Sequence, residues 1–157
     1  MNNRLENIIA ELKNNEEEII SFFKGLNSGQ LAMTVYPEDP GWTVQQMLAH
    51  LITIEGPMQW LFKNLLAGGP GSPVDFDLDR FNRTQPRKLD GQSLDELCEN
   101  FRSVRRETIT IVEGMEDKDL DREGRHAFHG HGKLERFIVW AYEHARLHLA
   151  DIRKALQ

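Results

Sequence analysis

The chain has 157 residues, 39% of them apolar and 28% charged, and a formal net charge of −6. That is the length and balance of one globular domain able to bury a core without staples, and its acidity speaks against the basic surfaces that grip nucleic acid or an anionic membrane. Cys98 is the only cysteine, so no intrachain disulfide is possible, and the absence of a signal peptide or a membrane-length apolar run predicts a cytoplasmic protein.

Four segments carry helical periodicity. Between about residues 3 and 24, Leu5, Ile8, Ile9, Leu12, Ile19, Ile20 and Phe23 recur at threes and fours, which makes one apolar stripe. Asn3 and Glu6 stand in capping-box places at its start. A second helix is predicted from Thr43, with Gln46 completing a capping box and Trp42 outside it as a staple. Met47, Leu48, Leu51, Ile54, Met58, Leu61 and Leu65 follow. Pro57 lies inside this run and has no N–H to donate, but the stripe stays in phase beyond it, which predicts a kink rather than an end. Residues 67–92, AGGPGSPVDFDLDRFNRTQPRKLDGQ, form a long connection in which DLDRFN allows one helical turn. A third helix starts at Ser93, capped with Glu96, carries Leu94, Leu97, Cys98, Phe101, Val104, Thr108, Ile111 and Val112, and stops at Gly114. MEDKDLDREGRHAFHGHG is a second polar connection. The fourth helix runs from about residue 133 to 156, with no good capping residue at its start. No alternation marks a strand and no repeat is present. Four helices of roughly 20 residues predict an all-α four-helix bundle, with residues 1–157 as a single domain.

The fourth helix contains EHARLHLADI. Counting 134, 137, 141, 144, 148, 152 walks down one face and places His144 and His148 on it, four apart, over the same patch of surface. That separation lets two imidazole nitrogens reach one metal ion. On the second helix, 43, 47, 50, 54, 58, 61 is the inward count and places His50 among Met47, Leu51 and Ile54. Three inward histidines on two helices form a constellation able to close on one ion. A single inward histidine, by contrast, is ordinarily a hydrogen-bonded core residue. The pair lacks the Glu of H-E-x-x-H, since Ala145 follows His144, so a zinc-peptidase reading loses its base. His126, His129 and His131 in HAFHGHG compete for a metal. Their glycine spacing predicts a flexible loop, with His131 nearest the fourth helix and the site.

GWTVQQMLAHL, FDLDRFN, MEDKDLDREGRHAFHGHGKLERFI and HARLHLADIRKAL, in that order, resemble the DinB-like superfamily (DinB/YfiT-like proteins) over nearly the whole chain. The most specific elements are the His of the W-T-V-x-x-x-L-A-H-L segment and the terminal H-x-x-x-H. The resemblance implies a three-histidine metal site inside a four-helix bundle, on His50, His144 and His148. One departure is Ala145, where many relatives carry Glu.

Members of this superfamily include mycothiol-dependent maleylpyruvate isomerase, bacillithiol transferases and proteins that look like metal-dependent hydrolases. The resemblance therefore implies a divalent transition metal (zinc or nickel first, then iron), a small-molecule substrate, a low-molecular-weight thiol as its partner, and a homodimer, while the acidic balance adds the expectation of no nucleic acid and no membrane. Three imidazoles leave open positions on an ion, where a thiol or water can bind and lose its proton. A hydrolase at the same site and a non-catalytic metal- or ligand-binding helical protein are the alternatives, the last expected to close its site with a fourth protein ligand. Glu55, His131 and Asn82 are the candidates for a general base.

Overall fold

The four expected helices form where the periodicity places them, two of them under the expected capping boxes. The structure, a computed structural model, describes residues 3–38 and 41–157. Helix α1 spans Arg4–Lys24. Asn3 takes the N-cap place without a side-chain cap bond, so the capping box expected with Glu6 does not form. Arg4 instead ties the helix start to Asp117 at 2.9 Å, Asp121 at 3.1 Å and Glu135 at 3.4 Å. A short helix α2, Ser28–Leu31, follows under an Asn27–Gln30 capping box.

Helix α3 is Val44–Leu66, and Thr43 and Gln46 make the full capping box. It runs unbroken through Pro57, because Ile54, Met58, Leu61 and Phe62 on both sides of the proline are buried in one apolar cluster. In the long connection, α4 covers Leu78–Thr84 with Asp77 as its cap, and a 3₁₀ turn follows at Pro86–Leu89. Helix α5 is Leu94–Glu113 between the Ser93–Glu96 box and Gly114. Helix α6 is Leu134–Ala155. Its N-cap residue Lys133 makes no cap bond, but the N–H of the buried Leu134 donates to the Arg122 carbonyl at 2.8 Å.

The expectation of no strands is corrected at two places. β1 (Thr34–Tyr36) pairs antiparallel with β2 (Trp42–Thr43), and β3 (Glu123–His126) pairs antiparallel with β4 (Gly130–Lys133). Strands of two to four residues are too short to show an alternation against the chain's background. HAFHGHG is accordingly the tip and return strand of a hairpin, not a loose loop. Gly71 bridges to Arg125 at φ +98°, where a Cβ would meet the Arg125 backbone at 2.4 Å, so only glycine lets the long connection dock on β3.

Helices α1 and α3 each pack against both α5 and α6, so the ring order is α1, α5, α3, α6. The core divides into two apolar clusters. One holds Leu12, Met58, Phe62, Ile109, Phe137 and Ala141, the other Ile19, Met47, Leu51, Phe101, Ala145 and Leu149. A polar layer lies between them along the helices. Arg105, 1% exposed, pairs with the equally buried Glu55 at 2.9 Å and donates to Asn15 at 2.8 Å. Thr108 also donates to Glu55, and Gln59 donates to Thr108 at 3.0 Å. The burial cost of each charge is offset within this layer by its partners.

Candidate metal centre

His50 lies on the face of α3 that also carries Met47, Ile54, Met58 and Leu61, and all of them border one cavity of about 520 Å³. Its walls are mostly apolar. From α6, His144 and His148 reach the same cavity. These two stand beside the core stripe of α6 rather than on it. The fully buried positions are Leu134, Phe137, Ile138, Ala141, Ala145, Leu149 and Ile152, and the two histidines are half-buried at the stripe's edge. The in-line count from the sequence placed them one step too deep, because a 3.6-residue repeat cannot distinguish the core from a pocket beside it. Ala145 faces the core, so it does not border the three imidazoles' cavity.

The three Nε2 atoms converge. His148 Nε2 is 2.9 Å from His144 Nε2, which is 3.3 Å from His50 Nε2. The three rings meet edge to face with centroids 4.4 to 5.1 Å apart. One ring nitrogen from each lies within 4.8 Å of the others, a spacing able to hold a metal ion. Burial disfavours the imidazolium form. It pushes His50 down to about 3 and His144 down to about 2, with the charge of His148 as a second cause, and it lowers His148 as well. All three rings are therefore neutral near pH 7, each with a nitrogen lone pair available, which is the state a metal requires. Three neutral imidazoles suit a divalent transition ion. Among the described residues, no fourth His, Cys, Asp or Glu joins the group.

Tyr36 and Asp151 complete the surroundings of His148. The Tyr36 hydroxyl is 2.9 Å from His148 Nδ1 and donates to Asp151 Oδ2. A carboxylate only accepts, so the phenol proton goes to Asp151 and the phenol oxygen is left to accept from Nδ1–H. That tautomer directs the unprotonated Nε2 of His148 toward His50 and His144. Burial and the Asp151 hydrogen bond both raise Tyr36, keeping the phenol protonated. Sequence reasoning missed both residues. Asp151 had a signal, standing three positions after His148 on the same helix. Tyr36 had none, since the β1–β2 hairpin that delivers it is not visible in the pattern.

The other candidates separate clearly. Glu55 is locked in the Arg105 layer and does not border the cavity, so it is withdrawn as a base. His131 is exposed on β4, 3.5 Å from Glu123, and also stands outside the cavity wall. Its placement near the site is corrected: strand alternation turns His131 away and brings His126 in. Asn82 does border the cavity, and its Oδ1 is buried without a partner among the described residues. Cys98 is buried, and burial raises its thiol, so it is not a reactive nucleophile.

The fold is similar to solved structures of low sequence identity. YfiT from Bacillus subtilis, described as a probable metal-dependent hydrolase with an unusual four-helix bundle topology, aligns at TM-score 0.79 and 17% identity over 99% of this chain and 87% of its own. DfsB, described as a sibling lethal factor precursor, aligns at TM-score 0.72 and 18% identity over 98% and 95%. The colibactin self-resistance protein ClbS, solved in complex with double-stranded DNA, aligns at TM-score 0.69 and 13% identity over 98% and 95%. No match is found among curated proteins. The family model of the DinB superfamily matches residues 11–152. That span takes in His50, His144 and His148 together with all of α3 and α5 and most of α1 and α6, and the chain belongs to the DinB superfamily.

Proposed function

We propose that this protein is a metal-dependent enzyme in which His50, His144 and His148 hold one divalent transition ion, zinc or nickel ahead of iron, and a small electrophile is joined to a low-molecular-weight thiol. The observation that carries the reading is the convergence of three neutral Nε2 atoms on the wall of a 520 Å³ cavity. A structural site would be closed by a fourth protein donor, and none stands in this group among the described residues. When bound, the ion supplies the positive charge that brings a thiol or water to its anionic form near neutral pH.

The chain's own groups do the rest. Tyr36, anchored by Asp151, holds the proton of His148 on Nδ1 and so fixes the ring's orientation. The apolar wall, with Met58, Leu61 and Phe76, takes the body of the electrophile and keeps water from it. A net charge of −6 favours a small-molecule substrate over nucleic acid. A reduced thiol as co-substrate fits a cytoplasmic setting, and no helix among the described residues is long and apolar enough to cross a membrane.

Hydrolysis is the second reading, favoured by the description of YfiT, with water in place of the thiol. One experiment separates them. The protein is purified without a nickel column, its metal content is measured by elemental analysis, and the loaded protein is assayed on electrophile and ester panels with and without thiols. One ion per chain with thiol-dependent conjugate formation is expected. Turnover without thiol assigns the hydrolase reading, and a chain that binds no transition metal overturns both.

A further inference from the structure

His126 is 9% exposed, borders the cavity, and plays no part in the three-histidine group. Two backbone donors fix its protonation. The Phe128 N–H and His129 N–H both donate to His126 Nδ1, at 2.9 and 3.0 Å. Backbone N–H groups cannot accept, so Nδ1 carries no proton, and the neutral ring must carry it on Nε2. No described residue accepts from that Nε2–H. The ring is packed between two others: Phe137 lies 4.9 Å from the His126 ring and His129 4.8 Å. The hairpin tip is in turn fastened toward the three histidines, since Phe128 stacks on Trp140 at 5.5 Å and Trp140 touches His144 at 5.4 Å.

We propose that His126 is a substrate-binding residue whose Nε2–H donates to a carbonyl-class oxygen of the compound in the cavity. A donor with no protein partner on a cavity wall is free to take an acceptor from a bound compound, and a mostly apolar cavity gains specificity from a few fixed polar groups. His126 is suited to be a permanent donor rather than an acid, because burial pushes it down to about 4 and keeps the ring neutral. Discrimination then favours ligands with an acceptor oxygen over isosteres without one. The proposal deepens the enzyme reading by naming the substrate class, but it stands on the hairpin and not on the metal.

Two substitutions split the two nitrogens of the ring. Asn in His126→Asn places its side-chain oxygen near the position of Nδ1, keeping an acceptor for both backbone N–H groups while removing the Nε2 donor. Gln in His126→Gln places an N–H near Nε2 and loses the acceptor. The probes are acetophenone and α-methylstyrene, which share a shape and differ in the carbonyl oxygen. They are titrated by NMR into the protein as purified and after chelation, so the outcome does not depend on the metal reading. Wild type is expected to prefer acetophenone by about fivefold, the worth of one net hydrogen bond. His126→Asn is expected to keep its melting temperature and lose the preference. His126→Gln is expected to melt lower and retain the preference in part. ¹⁵N spectra of wild-type His126 are expected to show the Nε2–H tautomer, which settles the donor even if the Gln variant does not fold. An Nδ1–H tautomer, equal affinity of wild type for the two probes, or a preference that survives in His126→Asn overturns the proposal.

Discussion

His148 differs from its two neighbours in having its second nitrogen held. Tyr36 receives its Nδ1–H and passes its own proton toward Asp151, whereas His144 Nδ1 is buried without a partner among the described residues. Partners of this outer kind set ligand orientation and basicity. Tyr36→Phe is therefore expected to weaken zinc binding about tenfold to a hundredfold in a competition titration. His148→Ala is expected to weaken it further, since only two imidazoles remain. His129→Ala is expected to leave zinc affinity nearly unchanged, because that ring packs against Trp140 at 4.6 Å and takes no place in the group. Metal loss in His129→Ala with retention in His148→Ala would move the site to the hairpin. Acid dependence follows from the same rings. His50 and His144 sit at about 3 and 2 in the folded chain, against about 6.5 when unfolded. Below about pH 6.5 the unfolded chain takes up protons that the folded chain refuses. Stability is then lost at up to about 1.4 kcal/mol per pH unit for each such ring. A bound ion acts in the same direction. The melting temperature is expected to be flat above pH 7 and to fall from 6.5 downward, also after chelation. A flat curve from pH 7 to 5 in the chelated protein would show that the rings are water-exposed.

At the scale of the helices, one polar layer joins all four. Arg105 on α5 reaches Glu55 on α3, Asn15 on α1 and, at 3.5 Å, the Ala141 carbonyl on α6. Removing one partner of a buried pair strands the other charge in a medium that cannot solvate it. Arg105→Ala is expected to lower stability by about 3–5 kcal/mol in urea denaturation. The double variant Arg105→Met, Glu55→Leu is expected to recover most of that loss, since no unpaired charge remains. A single variant that melts like wild type would mean that the layer is hydrated.

The four-helix ring leaves its cavity on the flank between α3 and α6, with the β1–β2 hairpin, the α4 connection and the β3–β4 hairpin forming the rim through Tyr36, Phe76 and His126. Binding of an ion to the folded chain alone raises stability by mass action. A zinc excess is expected to raise the melting temperature, and chelation to lower it; no change in differential scanning calorimetry would count against a site built only in the fold. Association through helix faces is expected to give a homodimer at micromolar concentration. Trp60 on α3 and Leu147 on α6, about half exposed, are large apolar side chains that such an interface would cover. Sedimentation showing only monomer would remove this expectation.

The helices were legible because their information is local. Thr43–Gln46 and Ser93–Glu96 cap, Gly114 stops, and an apolar residue every third or fourth position settles which face turns inward, whatever the rest of the chain does. The histidine triad was legible in part for the same reason, since four-residue spacing puts His144 and His148 over one patch of α6, while their place at the edge of the core stripe was not. What only the tertiary structure decided depends on residues far apart in sequence. Tyr36 meets His148 across 112 positions, and Arg105 meets Glu55 across 50. No pattern within one helix encodes a partner on another, so Glu55 read as a free base when it is half of a buried pair. The same holds for the short hairpins. Two to four residues carry too little periodicity to announce a strand, and it is strand alternation, fixed only on pairing, that turns His126 toward the cavity and His131 toward water.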